Sequence, residues 1–141
     1  MDLQEISDRL EITQVLIRYT RAIDTDDWDG LDTVFTPDAA IDYTESGGIA
    51  ASYAEVKPWL AEVLPIFFPK RLHSLAQVDI ALDGDEATVD AYFHNPMPLS
   101  GPDAGGKVAE FGGIYHHAMV RTPDGWRSRQ LHEEIVWKRT I

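Results

Sequence analysis

Cysteine is absent from the 141-residue sequence. Without a thiol, the chain has no disulfide bond, no thiolate metal ligand and no cysteine nucleophile. Basic residues are scarce as well. The sequence has 12 lysines and arginines against 24 aspartates and glutamates, which gives a formal net charge of −12. A surface this acidic repels the phosphates of nucleic acids and of anionic membranes. We therefore expect neither nucleic acid nor membrane among the partners.

Long apolar runs are also missing. The N-terminal segment, MDLQEISDRLEITQVLIRY, lacks the basic start of a signal peptide and any stretch long enough to cross a bilayer. With 44% hydrophobic residues, a chain of this length is still able to bury one sizeable core. We expect a single domain over residues 1–141 and a cytoplasmic location.

Helical periodicity dominates the first half of the chain. Apolar residues recur at three- and four-residue spacing from Leu3 to Ile23, which predicts a first helix with one buried face. The segment WDGLDTVF predicts a short second helix that stops before Pro37, and AAIDY is typical of a short strand. Ser52 and Glu55 have the spacing of a capping box at the start of a third helix, YAEVKPWLAEVLPIFF, which Pro65 must kink or end.

From Arg71 onward the apolar period changes to two. Four such segments flank the turns Asp83–Asp85 and Pro123–Gly125, which predicts two antiparallel hairpins. Between the hairpins, NPMPLSGPDAGGK is rich in proline and glycine and is interpreted as a mobile loop. Helices followed by a strongly curved antiparallel sheet indicate an α+β fold. We expect a bulge at Gly112-Gly113 and a pocket between the sheet and the helices.

Histidines are the available general bases near neutral pH. All five fall on predicted strands or strand ends: His73, His94, His116, His117 and His132. Neighbouring strand residues point to opposite faces, so His116 and His117 do not share one metal ion. The sequence also lacks a glycine-rich phosphate loop and a serine nucleophile motif. We expect neither a metal nor a cofactor.

The mixed faces of the predicted strands are candidates for a substrate-binding wall. Tyr92 and His94 share one such face, and Phe111, Tyr115 and His117 share another on the next strand. An aromatic wall with scattered polar atoms suits a small, largely apolar molecule. Ordinary aromatic core packing explains the same pattern, and a mixed face also suits an exposed or dimer-forming surface.

Seven aspartates crowd the stretch from Ile23 to Tyr43. Aspartate favours turns and helix starts, where its side chain binds free backbone N–H groups. We interpret six of the seven in this way: Asp26, Asp27, Asp29, Asp32, Asp38 and Asp42. Asp24 differs, because it follows the buried Ile23 at the end of the first helix, where a carboxylate is able to face a pocket.

Four segments together carry a family likeness. They are YTRAIDTDDWDGL, VFTPDAAIDY, His73 leading into LAQVDIALDGDEATV, and DGW before the last strand. Through them nearly the whole chain resembles the SnoaL-like group of the nuclear transport factor 2-like superfamily, in the branch of scytalone dehydratase, the bile-acid dehydratase and the hexachlorocyclohexane dehydrochlorinase. The resemblance implies a cone-shaped α+β barrel with a deep pocket, assembled as a homodimer or higher homo-oligomer through the outer face of its sheet.

The same resemblance implies roles for four residues. Asp24 matches an aspartate that pairs with a pocket histidine, and His73 matches that histidine, so the pair would act as the catalytic base. A carboxylate bound to one imidazole nitrogen fixes the tautomer and stabilises the imidazolium that forms when the other nitrogen takes a proton. Tyr43 matches a tyrosine that polarises a carbonyl or assists a leaving hydroxyl. Tyr19 matches a pocket tyrosine of the bile-acid enzyme.

The chain differs from scytalone dehydratase at the positions that recognise the substrate in that enzyme. The second histidine of that enzyme falls at Tyr92, although a two-residue shift would bring it to His94 on the same face. Its serine and asparagine fall near Gly113 and Tyr115. The departures argue against the substrate of that enzyme, while the proton-abstracting residues are retained.

Three functions follow as hypotheses. The first is a cofactor-independent lyase or isomerase acting on a small hydrophobic substrate, the second is a small-molecule binding protein, and the third is a partner-binding domain with a vestigial pocket. An Asp24–His73 hydrogen bond would favour the enzyme, and separated side chains would favour the binding protein. In the third case large side chains would fill the pocket, namely Trp59, Phe67, Phe68 and Met119. The candidate substrate-binding residues are Tyr19, Trp59, Tyr92, His94, Phe111, Tyr115 and His117.

Overall fold

The computed structural model describes all 141 residues. Two α-helices, two 3₁₀ helices and six strands form one α+β unit. In chain order they are α1 (Leu3–Asp24), a 3₁₀ helix (Trp28–Thr33), β1 (Phe35–Asp42), a 3₁₀ turn (Thr44–Ser46), β2 (Ala50–Ser52), α2 (Tyr53–Phe67), β3 (Ser74–Asp83), β4 (Glu86–Pro98), β5 (Val108–Thr122) and β6 (Gly125–Thr140). No helix combines the length and the apolar character that crossing a membrane requires.

Helix α1 begins at a side-chain cap and presents one apolar stripe to the sheet. The Asp2 carboxylate accepts a hydrogen bond from the backbone N–H of Glu5 at 2.8 Å, which satisfies a free donor of the first turn. Ile12, Leu16 and Ile23 lie on the buried stripe. Asp24 is the last residue of this helix.

An ion pair fixes the other end of α1 against the sheet. Arg121 on β5 donates two hydrogen bonds to the Asp8 carboxylate, at 2.8 and 2.9 Å, and the indole of Trp126 donates a third at 3.1 Å. The hydrogen bond from Arg121 is the main reason that the pKa of Asp8 falls to about 2. Trp126 itself is fully buried in the core between α1 and the sheet.

The third predicted helix forms, but without its predicted capping box. Ser52 precedes α2 and makes no side-chain capping bond. Pro58 and Pro65 both lie within the helix, which ends at Phe67, two residues after Pro65. The missing N–H of proline and its bulk against the preceding turn are consistent with this early end.

The sheet is mixed, which corrects the expectation of a purely antiparallel one. Its strand order is β2-β1-β6-β5-β4-β3, and β1 runs parallel to β6 while the other neighbours are antiparallel. The parallel pair joins strands far apart in sequence, whereas hairpin signals report only neighbouring segments. The register shifts between Gly112 and Gly113, so the predicted bulge is present and bends the sheet around the helices.

The predicted mobile loop is shorter than the sequence indicates. Strand β4 continues through Asn95 to Pro98, and only residues 99–107 connect it to β5. Pairing of β4 with β3 stops at Ser74 and His94. The last residues of β4 therefore pair only with β5. Proline is tolerated on such a free edge, because no neighbouring strand needs its N–H. The extension brings Asn95 and Met97 to the inner face of the sheet.

Candidate functional site

A cavity of about 300 Å³ lies between the helices and the inner face of the sheet. One wall is apolar and comes mainly from α2 and the residue after it: Trp59, Leu60, Val63, Leu64, Phe67 and Phe68. The polar groups of the lining come from other elements: Tyr19, Tyr43, Ser46, His73, Asn95 and Glu133. An apolar cavity with a few converging polar groups is the usual form of a small-molecule site. The large side chains of α2 line the cavity rather than fill it, and Met119 is buried away from it, which contradicts the hypothesis of a filled pocket.

Asp24 and His73 are in contact at the edge of this cavity. The Nδ1 atom of His73 lies 2.6 Å from Oδ1 of Asp24, and the backbone N–H of His73 donates to Oδ2 at 2.9 Å. The carboxylate thus fixes both the ring and the main chain of His73. The histidine side chain is only 8% exposed, and its Nε2 atom makes no hydrogen bond to the protein. A histidine held in this way has one ring nitrogen available for a proton from a ligand.

Arg71 holds the segment before β3 against the end of α1. Its guanidinium donates to the carbonyl oxygens of Ile23 at 3.1 Å and Phe68 at 2.7 Å, and it forms an ion pair with Asp26. Its side chain is almost fully buried, which is exceptional for an arginine. Arg71 therefore positions the main chain just before His73. No local sequence pattern predicts this role, because Ile23 and Asp26 lie more than 40 residues before Arg71 in the chain.

The tyrosines predicted for the pocket form a hydrogen-bonded pair. The hydroxyl oxygens of Tyr19 on α1 and Tyr43 after β1 lie 2.5 Å apart, and both residues line the cavity. Burial raises the pKa of each phenol well above its usual value, so both remain protonated at neutral pH. One hydroxyl donates to the other, and the second proton of the pair is available to a ligand oxygen.

Glu133 is a cavity residue that was not among the site residues predicted from the sequence. It lies on β6 and is 8% exposed, and its Oε1 atom is buried without a hydrogen-bond partner. Burial is the main reason that its pKa rises to about 7. A signal was present in the sequence: with period two, Glu133 falls between Leu131 and Ile135 on the same strand face, and both are apolar.

Residues 4–132 match the family of the SnoaL-like domain. The chain belongs to this family. An uncharacterized protein of Mycobacterium tuberculosis is 46% identical over 127 residues, which cover 90% of this chain and 84% of that protein. A protein of Mycobacterium bovis matches to the same extent.

Solved structures place the SnoaL-like domain in a common fold. A putative scytalone dehydratase from Novosphingobium aromaticivorans has a TM-score of 0.83 at 16% identity, covering 96% of this chain and 88% of that one. A hexachlorocyclohexane dehydrochlorinase from Novosphingobium barchaimii reaches 0.85 at 14%, with 100% and 94% covered. A nuclear transport factor 2-like superfamily protein from Salmonella enterica reaches 0.80 at 19%, with 93% and 92% covered. These likenesses confirm the predicted superfamily fold.

Tyr92 and His94 do not face the cavity of this SnoaL-like domain, contrary to the sequence-based expectation. Both lie on the outer face of β4, where Tyr92 is 42% exposed and the His94 ring packs beside Trp137. Buried and exposed side chains alternate along β4, and the small and apolar residues, including Ala91 and Phe93, lie on the inner face. The sequence leaves a mixed face open between a pocket wall and an exposed surface, and on β4 it is the exposed surface.

Tyr115 and His117 point inward but lie in the core beneath the cavity rather than in its lining. The Tyr115 hydroxyl accepts a hydrogen bond from the Asn95 amide at 2.9 Å, so Asn95 stands between it and the cavity. The His117 ring is hydrogen-bonded through Nδ1 to the Ser128 hydroxyl at 2.8 Å. Burial lowers the pKa of His117 to about 3, which keeps the ring neutral.

Three of the predicted substrate-binding residues line the cavity, namely Tyr19, Trp59 and Phe111.

The six remaining aspartates do not all cap helices or turns. Asp27 caps the 3₁₀ helix through the Gly30 N–H at 3.1 Å, as expected of a capping aspartate. Asp32 instead accepts a hydrogen bond from the Tyr53 hydroxyl at 2.5 Å and pairs with Lys57.

The stability of the protein should respond to pH through Glu133. Burial raises the folded pKa from 4.5 to about 7, so the unfolded carboxyl loses its proton at a lower pH than the folded one. The contribution of this group is therefore fully present below about pH 4.5 and is lost as the pH rises through about 7. Glu133→Gln does not titrate. Relative to wild type, its free energy of unfolding should increase by about 3 kcal/mol between about pH 4 and about pH 8.

Urea denaturation of both proteins across this pH range measures the difference. All other titrating groups are common to the two proteins and cancel, as does any constant effect of the amide. A difference in unfolding free energy that stays constant with pH would contradict the prediction.

Proposed function

We propose that the protein is a cofactor-independent lyase or isomerase of the dehydratase type. In this proposal the Asp24–His73 pair removes a proton from a small, largely apolar substrate bound in the cavity. The observation that carries the proposal is the hydrogen bond between Nδ1 of His73 and Asp24, which leaves Nε2 without a protein partner in a residue that lines the cavity. A protein that only stores a ligand has no need of such an oriented base.

In the proposed reaction, His73 acts as the base and the Tyr19–Tyr43 pair acts as the hydrogen-bond donor. The Nε2 atom of His73 accepts a proton from a carbon next to a carbonyl group, and the adjacent Asp24 carboxylate stabilises the imidazolium. The Tyr19–Tyr43 pair supplies a hydroxyl donor for the carbonyl oxygen, on which negative charge develops as the proton leaves. Because both phenols stay protonated, that donor is present throughout the neutral pH range.

Two structural neighbours carry names consistent with this chemistry. One is a putative dehydratase and the other a dehydrochlorinase, and both names describe eliminations. At 16% and 14% identity these proteins share the fold with this chain, so they support the reaction class and leave the substrate open.

The second candidate is a small-molecule binding protein without turnover. It is favoured by the apolar wall from α2, which would hold a hydrophobic ligand whether or not a proton is removed.

Deuterium exchange separates the two candidates without requiring the natural substrate. A panel of small cyclic and aryl ketones would be incubated with the protein in D2O, and ¹H NMR would follow the loss of the protons next to the carbonyl. We expect wild type to accelerate exchange for ketones that bind, and Tyr43→Phe to slow it, because removing that hydroxyl disrupts the tyrosine pair. Ketones that bind in the cavity while exchanging only at the buffer rate would favour the binding protein.

A further inference from the structure

No ion pair explains the place of Glu133 in the cavity wall. Its Oε1 atom is shielded from solvent and unbonded, and no lysine or arginine lines the cavity. Burying a carboxyl group without a cation or a full set of hydrogen bonds is unfavourable for folding. Residues retained under such a cost are often found at functional sites.

The surroundings of Glu133 together raise the pKa of its carboxyl group. Burial opposes ionisation most strongly, the Ser46 hydroxyl favours it, and the negative charge of Glu45 opposes it. His132, which precedes Glu133 on β6, favours ionisation, and Asp42 on the adjacent strand β1 opposes it, both to a smaller extent. With a pKa of about 7, a large part of the population carries a neutral carboxyl near neutral pH. A neutral carboxyl is an O–H donor, unlike the acceptor-only carboxylate.

The same cavity therefore holds a base and an acid that are separate in the fold. His73 lies before β3 at one edge of the sheet, whereas Glu133 lies on β6 near the middle. Neither residue bonds to the other, and both line the same cavity. Pairing an oriented base with a protonated carboxyl is what an elimination needs when its leaving group is basic.

We propose that Glu133 is the general acid of the reaction, which protonates a leaving hydroxyl group and makes the loss of water the favoured elimination. This inference rests on the proposed function. Hydroxide is a poor leaving group and must be protonated as it departs, whereas chloride leaves without a proton. The absence of lysine and arginine from the lining also disfavours a departing halide anion and anionic substrates. The substrate class is an uncharged β-hydroxy carbonyl compound.

The step balances within the protein and the substrate. Nε2 of His73 takes the proton from the carbon next to the carbonyl, and the electron pair of that C–H bond forms the C=C bond. The C–O bond of the hydroxyl breaks, and its oxygen takes the Glu133 proton and leaves as water. Imidazolium and carboxylate remain, and transfer of the imidazolium proton to the carboxylate, through water that enters as the product leaves, restores the resting state.

The first arm of the test needs no ligand. Protein labelled with ¹³C at the glutamate carboxyl carbons would be titrated by NMR, and the Glu133 signal identified by its loss in Glu133→Gln. We expect this signal to titrate well above about 4.3, the reference pKa of a glutamate side chain in water. Titration together with the exposed glutamates would overturn the proposal, because Glu133 would then carry no proton at neutral pH.

The second arm compares leaving groups in 3-hydroxycyclohexanone and 3-chlorocyclohexanone, with formation of cyclohexenone followed by its absorbance. Glu133→Gln should slow the loss of water by roughly 10²-fold or more and change the loss of chloride only a few-fold. His73→Ala, as the matched control, should slow both. Equal effects of Glu133→Gln on both compounds, or none on either, would overturn the role of Glu133. A failure of His73→Ala to slow either elimination would instead count against the proposed function.

Discussion

Replacement of His73 by alanine should lower kcat for the substrate of this protein by roughly 10²–10⁴-fold, the usual contribution of a positioned general base. The expected loss is large because the cavity lining offers no second histidine. The fold should persist, since Asp24 binds the backbone N–H of residue 73 as well as the imidazole. Steady-state kinetics measure the loss, and a thermal melt checks the fold.

Asp24→Asn is the companion variant, with a smaller expected loss. It keeps a side-chain oxygen for the backbone N–H of His73 but removes the negative charge beside the imidazole. The base is then still present, while the imidazolium that forms on proton transfer is less stabilised. Turnover by His73→Ala equal to that of wild type would refute the assignment of His73 as the base. A greater loss in Asp24→Asn than in His73→Ala would refute the supporting role of Asp24.

Replacement of Gly113 by alanine should lower the free energy of unfolding by about 3 kcal/mol, near the upper end for an overpacked site. A methyl group at this position would overlap the carbonyl oxygen of Glu134 on the neighbouring strand and would approach Phe93 Cζ to 2.9 Å. The obstacle is backbone within the β5–β6 ladder, so relief requires the two strands to separate at the bulge.

Gly112 provides a matched control on the adjacent residue. A methyl group there would overlap the indole of Trp137, which is a side chain on the outer face and 41% exposed. The indole is able to rotate into solvent, so Gly112→Ala should cost less than about 1 kcal/mol. Urea unfolding of the two variants compares them directly. Similar losses of stability in both would show that the close strand approach at Gly113 is not the constraint.

The proximity of Asp24 and His73 followed from sequence only through resemblance to a family. The two residues are separated by 49 positions, and no local periodicity places them together. The elements themselves were predictable from local signals. The apolar stripe of α1, the third helix and the glycine pair at the bulge were each readable from a few neighbouring residues.

The outward placement of Tyr92 and His94 shows what a local sequence pattern does not predict, namely which face of a strand lines the cavity. Period two separates the two faces of β4, but it does not tell a pocket-lining mixed face from a solvent-facing one. That choice depends on which face α1 and α2 cover, and their position follows from contacts such as the Asp8–Arg121 ion pair, made between residues 113 positions apart.

By itself, the sequence determined the helices, the strands, the acidic surface and the absence of thiol chemistry, because these properties depend on composition and short-range periodicity. The tertiary structure alone decided that β1 runs parallel to β6, that Arg71 holds the segment before His73, and that Glu133 lines the cavity with one carboxyl oxygen unbonded. Each of these depends on pairings between distant segments and on which groups the fold removes from water. Such pairings leave no local pattern, and the chemistry of Glu133 in particular arises only from its burial.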